Sequence, residues 1–212
     1  MGEFVVISAF RDADISRTAT AAELFCARHG VRAVDPPLRA SSTTPTRAAS
    51  VMVWGGDWTV IHWPMTFPHM VATLEMSETL GCVAVATDIY DGDFWRQAIL
   101  HKGTVVDRFC SDLNYFGRGE RQRLGGRWDG DPNVVAEALG LDPKVVQLYY
   151  RQPARFLQPR RLPGDEFNAA DPWIFTDLWR RIGISYPSVP ADLQLELPDN
   201  FADNLPVERI DF

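Results

Sequence analysis

Lysine is almost missing from this chain of 212 residues: of 21 Lys and Arg, only Lys102 and Lys144 are lysine. The bias is read as the mark of a GC-rich bacterial genome rather than of arginine chemistry. Cysteine is scarce too. Cys26, Cys82 and Cys110 make an odd count without C-x-x-C spacing, which suits free thiols in a reducing cytoplasm and offers no zinc site. No stretch approaches the roughly 20 apolar residues of a membrane span. The opening MGEFVVISAF is acidic where a secretory signal would be basic, and it lacks a small-residue cleavage site. The expected location is therefore cytoplasmic, with no membrane partner. Positive charge is in deficit, 21 basic against 28 acidic residues for a net charge of −7, which argues against a general binder of nucleic acid. GxSxG, HExxH, Walker A and GxGxxG motifs are all absent, so no catalytic residue and no cofactor is expected from motif.

What is present is a globular composition, 46% hydrophobic and 23% charged, rich enough in apolar residues to build a core. Residues 82–110 read as three antiparallel strands joined by Asp91-Gly92 and Lys102-Gly103. A Gly in second place of a two-residue loop is the sequence form of a type I′ hairpin. That register sets Ile89 opposite Phe94, Asp88 opposite Trp95, Gln97 opposite Arg108 and Trp95 opposite Cys110. Two faces follow from the alternation of side chains. One is apolar, with Val83, Val85, Ile89, Phe94, Ala98 and Phe109, interrupted by Arg96 and Asp107 as a diagonal pair. The other aligns Asp88, Gln97 and Arg108 beside Trp95. The ordinary reading of that second face is a half-wet sheet with a cross-strand charge pair. Its functional reading is a recognition surface, with Asp88, Trp95, Gln97 and Arg108 as the binding residues.

Along the chain, residues 3–10 read as a strand, and Thr20-Ala-Ala-Glu23 has the form of a capping box before a helix of about 21–29. Val31–Val34 is a candidate short strand, and 35–50 a loop. Val51–Trp54 and Trp58–Trp63 read as a hairpin, followed by a helix over 67–80 stopped at Gly81. Asp131-Pro132, Asp142-Pro143 and Asp171-Pro172 each place a capping carboxylate ahead of a first-turn proline. From Tyr186 on, the Pro- and acid-rich chain is expected to wrap the surface. The fold class implied is α+β: a mainly antiparallel sheet containing the meander, helices on one side, and short helices in the C-terminal third. The expected division is a sheet domain over 1–116, a Gly/Arg-rich loop over 117–130, and a helical extension over 131–212 that packs on the first part as one compact unit.

Other constellations bear on function. Asp88, Asp91 and Asp93 offer oxygen ligands, but without an EF-hand loop. Cys110 is a nucleophile only with a base in reach. His101 stands six residues from Trp95 along the same strand, roughly 20 Å, and a buried thiol packed as a small hydrophobe is the simpler account. Trp54, Trp58, Trp63 and Phe67 are core residues or the lining of a groove. Residues 134–151, VVAEALGLDPKVVQLYYR, match a helix-turn-helix outline, with Ala136 at the helix contact, Gly140 at the turn, and Arg151, Arg155, Arg160 and Arg161 following. An ordinary helical hairpin meets the same spacings. The leading expectation is a non-catalytic intracellular binding protein for a protein partner or small ligand, of regulatory or immunity-like type. The alternatives are a DNA-binding regulator using 134–151, and an enzyme using Cys110 or the aspartates.

Overall fold

The computed structural model of the chain describes residues 4–33, 50–115, 117, 126–150, 162–168, 170–184 and 191–206. The strands are β1 (Val5–Arg11), β2 (Ser50–Trp54), β3 (Trp58–His62), β4 (Val83–Tyr90), β5 (Phe94–His101), β6 (Thr104–Cys110) and β7 (Leu193–Glu196). They form one antiparallel sheet in the order β6-β5-β4-β1-β3-β2-β7. The helices are α1 (Ile15–Arg28), α2 (His69–Leu80), α3 (Pro132–Leu139), α4 (Pro143–Tyr149) and α5 (Ile174–Arg181). The α+β class read from hairpin spacing therefore holds. By contact, the chain divides into two compact units that interleave along the sequence. One holds Met1–Phe4, Thr87–Ile99 and Val105–Tyr186, the other Val5–Ala86, Leu100–Thr104 and Pro187–Phe212.

In the second unit, α1 starts six residues before the capping-box form predicts. Asp14 sits in extended backbone and its carboxylate accepts the Arg17 amide at 2.8 Å. That satisfies an otherwise orphan helix donor, so Thr20 falls inside the helix. Asp14 outcompetes Thr20 because Ile15, Ala19 and Ala22 continue the apolar stripe backwards. The β2–β3 hairpin forms as expected, with Met52↔His62 and Val53↔Ile61 in register, and β3 pairs with β1. Helix α2 ends at Gly81, whose φ of +69° supplies the left-handed C-cap. Residues 31–33 form no strand.

The tail differs from expectation. Instead of only wrapping the surface, Leu193–Glu196 pairs with β2, from Ser50↔Glu196 to Val53↔Leu193. Alternation in LQLEL puts Leu195 and Leu197 inside, 3% exposed each, and this outweighs the flanking prolines. Asp192 anchors the strand entry by accepting the Gly55 amide at 2.8 Å. Three buried polar groups of this unit are chained: the Trp63 indole N–H donates to Ser8 Oγ at 2.8 Å, and Ser8 Oγ lies 2.5 Å from Thr73 Oγ1.

In the first unit, Asp131 and Asp142 cap α3 and α4, and proline takes the first turn of each. The third such pair acts one turn early: the Asp171 carboxylate accepts the Trp173 amide at 2.9 Å, and the regular helix begins at Ile174. Two buried carboxylates tie the segment 162–168 to its helices. Asp165 accepts the Tyr149 hydroxyl (2.8 Å), the Leu162 amide (2.8 Å) and the Arg181 guanidinium (2.6 Å). Asp177 accepts the amides of Glu166 and Phe167 and the Arg180 guanidinium at 2.5 Å. Buried carboxylates are tolerated when several donors converge on them.

Both meander turns are type I′, with positive φ at Asp91 (53°), Gly92 (71°), Lys102 (49°) and Gly103 (78°). Gly103 has a further reason to be glycine. A Cβ there would sit 2.9 Å from Cβ of Glu78, and its amide donates to Ser77 Oγ at 3.0 Å. Gly103→Ala is expected to cost about 1–3 kcal/mol through left-handed strain and this clash. A lower urea midpoint with unchanged m-value would show it; an unchanged midpoint would refute the close approach.

Candidate functional site

The side chains of β4 and β5 reveal a register one residue away from the simple hairpin. The Arg96 guanidinium grips Asp88 with two hydrogen bonds, Nε to Oδ1 at 3.0 Å and Nη2 to Oδ2. Thr87 Oγ1 donates to Gln97 Oε1 at 3.3 Å, and the rings of Tyr90 and Phe94 stack at 5.5 Å. Asp88 thus opposes Arg96, and Thr87 opposes Gln97. The turn is the expected one, but Asp93 is an extra residue between it and β5. A slip of one residue moves every side chain of a strand to the other face. Asp88 therefore leaves the face of Gln97, and Arg96 pairs with Asp88 instead of Asp107.

A second irregularity closes the other end. The Ser111 amide, and not that of Cys110, donates to the Trp95 carbonyl at 2.9 Å, while the Cys110 amide donates to the Trp128 carbonyl at 2.9 Å. The Trp95 amide donates to Ser111 Oγ at 3.0 Å. One residue is gained in β6, the effect of a β-bulge. Phe109 consequently joins Trp95, their rings 4.9 Å apart. The expected Trp95–Cys110 pairing is corrected to Trp95–Ser111.

The face bearing Trp95 and Gln97 is not open. Gln97 is 0% exposed, Trp95 1% and Asp88 5%. Gln97 Oε1 accepts the Trp179 indole N–H at 3.0 Å, and its Nε2 donates to the Tyr150 oxygen at 2.8 Å. Tyr150 stacks on Phe109 at 4.1 Å, and Phe175 reaches Trp95 at 6.1 Å. The residues at the ends of α4 and along α5 thus cover the strip expected to face a partner. Arg108 is half-buried on β6, with Arg127 and Asp107 as its electrostatic neighbours. The four predicted binding residues do not form one exposed surface.

Asp107 accepts the Asp131 amide at 2.7 Å. Burial, reinforced by the Asp131 carboxylate, pushes its carboxyl up to about 6. Cys110 is buried, and burial pushes its thiol up to about 12. A thiol held there is protonated at neutral pH, the opposite of an activated nucleophile. Among the described residues, no group of three His, Cys, Asp or Glu is placed to hold a metal ion. Within the stretch expected to form a helical hairpin, helices α3 (Pro132–Leu139) and α4 (Pro143–Tyr149) form, with Ala136, Leu139 and Val146 buried and Gly140 at φ +76°. Lys144 and Gln147 of α4 are exposed, while Tyr149 and Tyr150 point inward. Arg151, Gln152, Arg155, Arg160 and Arg161 lie outside the described residues.

The second unit holds a feature that motif reading did not reach: a cavity of about 350 Å³. Ala22 and Cys26 of α1, Val51 of β2, Trp63, Leu195 and Leu197 form its apolar wall. Glu23, Ala27 and the segment 31–33 complete the lining, with Arg32 bringing a positive charge. Trp63 has its indole N–H held by Ser8 and one ring face stacked on Phe67 at 4.2 Å. It therefore presents apolar surface to the cavity. Burial pushes the Cys26 thiol up to about 12, so it lines the wall as a small hydrophobe. Of the aromatic set in the sequence, Trp63 lines this cavity and Phe67 backs it, while Trp54 and Trp58 are buried and Trp58 carries the Arg11 guanidinium at 4.7 Å. No protein-family model, curated protein or solved structure matches the chain.

Two outcomes follow. Gln97→Ala should lower stability by roughly 2–5 kcal/mol, because it leaves buried polar groups of Trp179, Thr87 and Tyr150 without their partner. Trp179→Phe should cost less, since it removes one donor and leaves most of the ring volume. Urea melts of both variants check the order, and a Gln97→Ala loss below the Trp179→Phe loss would contradict it.

The second concerns pH. The folded value of Asp107, about 6, lies above the ordinary 3.8. Its contribution to stability is full below about 4 and lost as pH rises through 6. His62 works the opposite way: burial lowers it to about 4 from 6.5, so its contribution is lost as pH falls through that window. Asp107→Asn separates the two. It should be more stable than the parent at pH 7–8, with the advantage shrinking below pH 6 and gone near pH 4. Parallel melting curves at all pH values would show that Asp107 titrates normally.

Proposed function

We propose that the protein is a non-catalytic binding protein that takes a small, mainly apolar ligand into the cavity between α1, β2 and β7. The observation that carries this reading is the cavity itself. Its volume of about 350 Å³ is within the range of sites for small molecules. Its wall is aliphatic and aromatic, and Glu23 and Arg32 supply one charge of each sign to orient a polar end. Burial of apolar ligand surface at about 25 cal/mol per Å² is the driving force such a wall provides. The raised thiols of Cys26, Cys82 and Cys110 agree with a binding role, because none of them is poised for nucleophilic attack. All three cysteines are free, which supports a cytoplasmic setting.

The test is calorimetric titration with three probes: indole, naphthalene-2-carboxylate and decanoate. At least one should bind saturably at one site per chain, with a negative heat-capacity change. Ala27 is exposed on α1 while lining the cavity, so Ala27→Trp should block entry and abolish binding with the melting temperature within a few degrees of the parent. Saturable binding to none of the three probes, or binding untouched by Ala27→Trp, would sink the reading.

A further inference from the structure

We infer that the tip of the β4–β5 hairpin, in the first unit, is a docking surface for an arginine-bearing segment of a partner protein. This goes beyond ligand binding in the second unit and rests on different residues.

Most aromatic side chains among the described residues are buried, and Trp63, Trp95, Trp128 and Trp179 are each at most 1% exposed. Three depart from this together. Phe4, Tyr90 and Tyr115 are 39%, 39% and 38% exposed, although they come from separate parts of the chain. Phe4 meets Tyr90 edge-on at 5.2 Å, and Tyr90 meets Tyr115 edge-on at 5.8 Å. Phe94, buried beneath, touches Tyr90 at 5.5 Å and Tyr115 at 4.8 Å. The result is a braced patch of rings, preorganised at little entropic cost on binding.

The patch is edged with negative charge. Asp91 and Asp93 of the turn are both exposed. The Tyr115 hydroxyl is hydrogen-bonded to Asp93, with Asp91 close by. The extra residue that displaces the hairpin register is Asp93 itself, so the irregularity sets a carboxylate beside the rings. Ring faces next to carboxylates match a guanidinium: the planar cation stacks on the ring while its fork of N–H donors meets the carboxylate. Lysine fits less well, since its ammonium cannot do both. A second copy is a poor occupant. A two-fold interface sets a patch against itself, here bringing Asp91 and Asp93 against the same residues on a chain of net charge −7. A basic partner has complementary charge and would be steered to the site by it.

The test uses a fluorescein-labelled twelve-residue peptide of alternating Arg and Gly, its Lys-for-Arg counterpart, and fluorescence anisotropy at two salt concentrations. The Arg peptide should bind more tightly than the Lys peptide, and more weakly at higher salt. Tyr90→Ser and Asp93→Asn should each weaken binding at least tenfold. Tyr115→Ser is a second ring variant should Tyr90→Ser fail to fold by circular dichroism. Glu137→Gln/Asp203→Asn, which removes two exposed charges elsewhere, should bind within twofold of the parent. Three results would overturn the proposal: equal loss in the Glu137/Asp203 variant, which would leave only net charge; no loss in the ring variants; or self-association in sedimentation that Tyr90→Ser abolishes, which would make the surface an interface between copies.

Discussion

The first unit depends on one buried side chain. Gln97 is a primary amide in the middle of a strand with no access to water. An amide placed there costs several kcal/mol unless every strong donor and acceptor is met. Its oxygen takes the Trp179 N–H and the Thr87 hydroxyl, and its nitrogen reaches Tyr150. Those partners lie on α5, β4 and the end of α4. The single amide therefore specifies which helix face meets the strands and at what height, since an indole N–H has only one direction in which to donate. Apolar packing alone, of Trp95, Phe109 and Phe175, would tolerate sliding by a turn; the hydrogen bonds do not.

The local irregularities answer to the same constraint. Asp93 and the gained residue in β6 each shift a strand by one position. Together they collect Trp95, Gln97 and Phe109 on the covered face and put Asp88 with Arg96 on the other. Under the simple hairpin register, Phe109 would point away from Tyr150, and Asp88 would lie on the covered face beside Gln97, out of reach of the Arg96 guanidinium that holds it here. The bulge and the extra turn residue relieve that conflict. A charge that must be buried is given a bidentate guanidinium, and the Arg96 guanidinium in turn lies over the Trp128 ring at 5.5 Å.

This explains what could be read from the residues beforehand. Turn chemistry is local: Asp91-Gly92 and Lys102-Gly103 form type I′ turns because only small or polar residues adopt positive φ at low cost. Capping is local too, and the Asp-Pro helix starts are legible because each carboxylate accepts an amide two residues on. The α+β class follows from the hairpin count. Register beyond the turn is not local. It is decided by which side chains must be buried together, and Thr87, Gln97 and Trp179 are 10 and 82 residues apart. A polar strand residue looks like a solvent-facing one until its covering helix is known, which is why Asp88, Trp95 and Gln97 read as a surface. The cavity was hidden for a related reason. Its wall joins residues from 22 to 197, and the strand that closes it lies in a proline-rich tail. Only the alternation of Leu193, Leu195 and Leu197 signals it.

The two candidate binding features call on different physics. The cavity wall is built from short side chains, Ala22, Cys26 and Val51, opposite one large ring, Trp63. Space survives there because the ring is held from the far side: its N–H is fixed by Ser8 and one face by Phe67, so it cannot fold inward to fill the gap. A ring restrained in that way keeps a void that packing would otherwise close. At the hairpin tip the restraint acts in the other direction. Phe94 supports the rings of Tyr90 and Tyr115 from below, and the Asp93 carboxylate holds the Tyr115 hydroxyl at the rim, so apolar surface is kept outward beside charge. In both places, a polar contact with an aromatic residue prevents the collapse that hydrophobic burial alone would favour. Sites that stay open in a close-packed fold need such an opposing interaction.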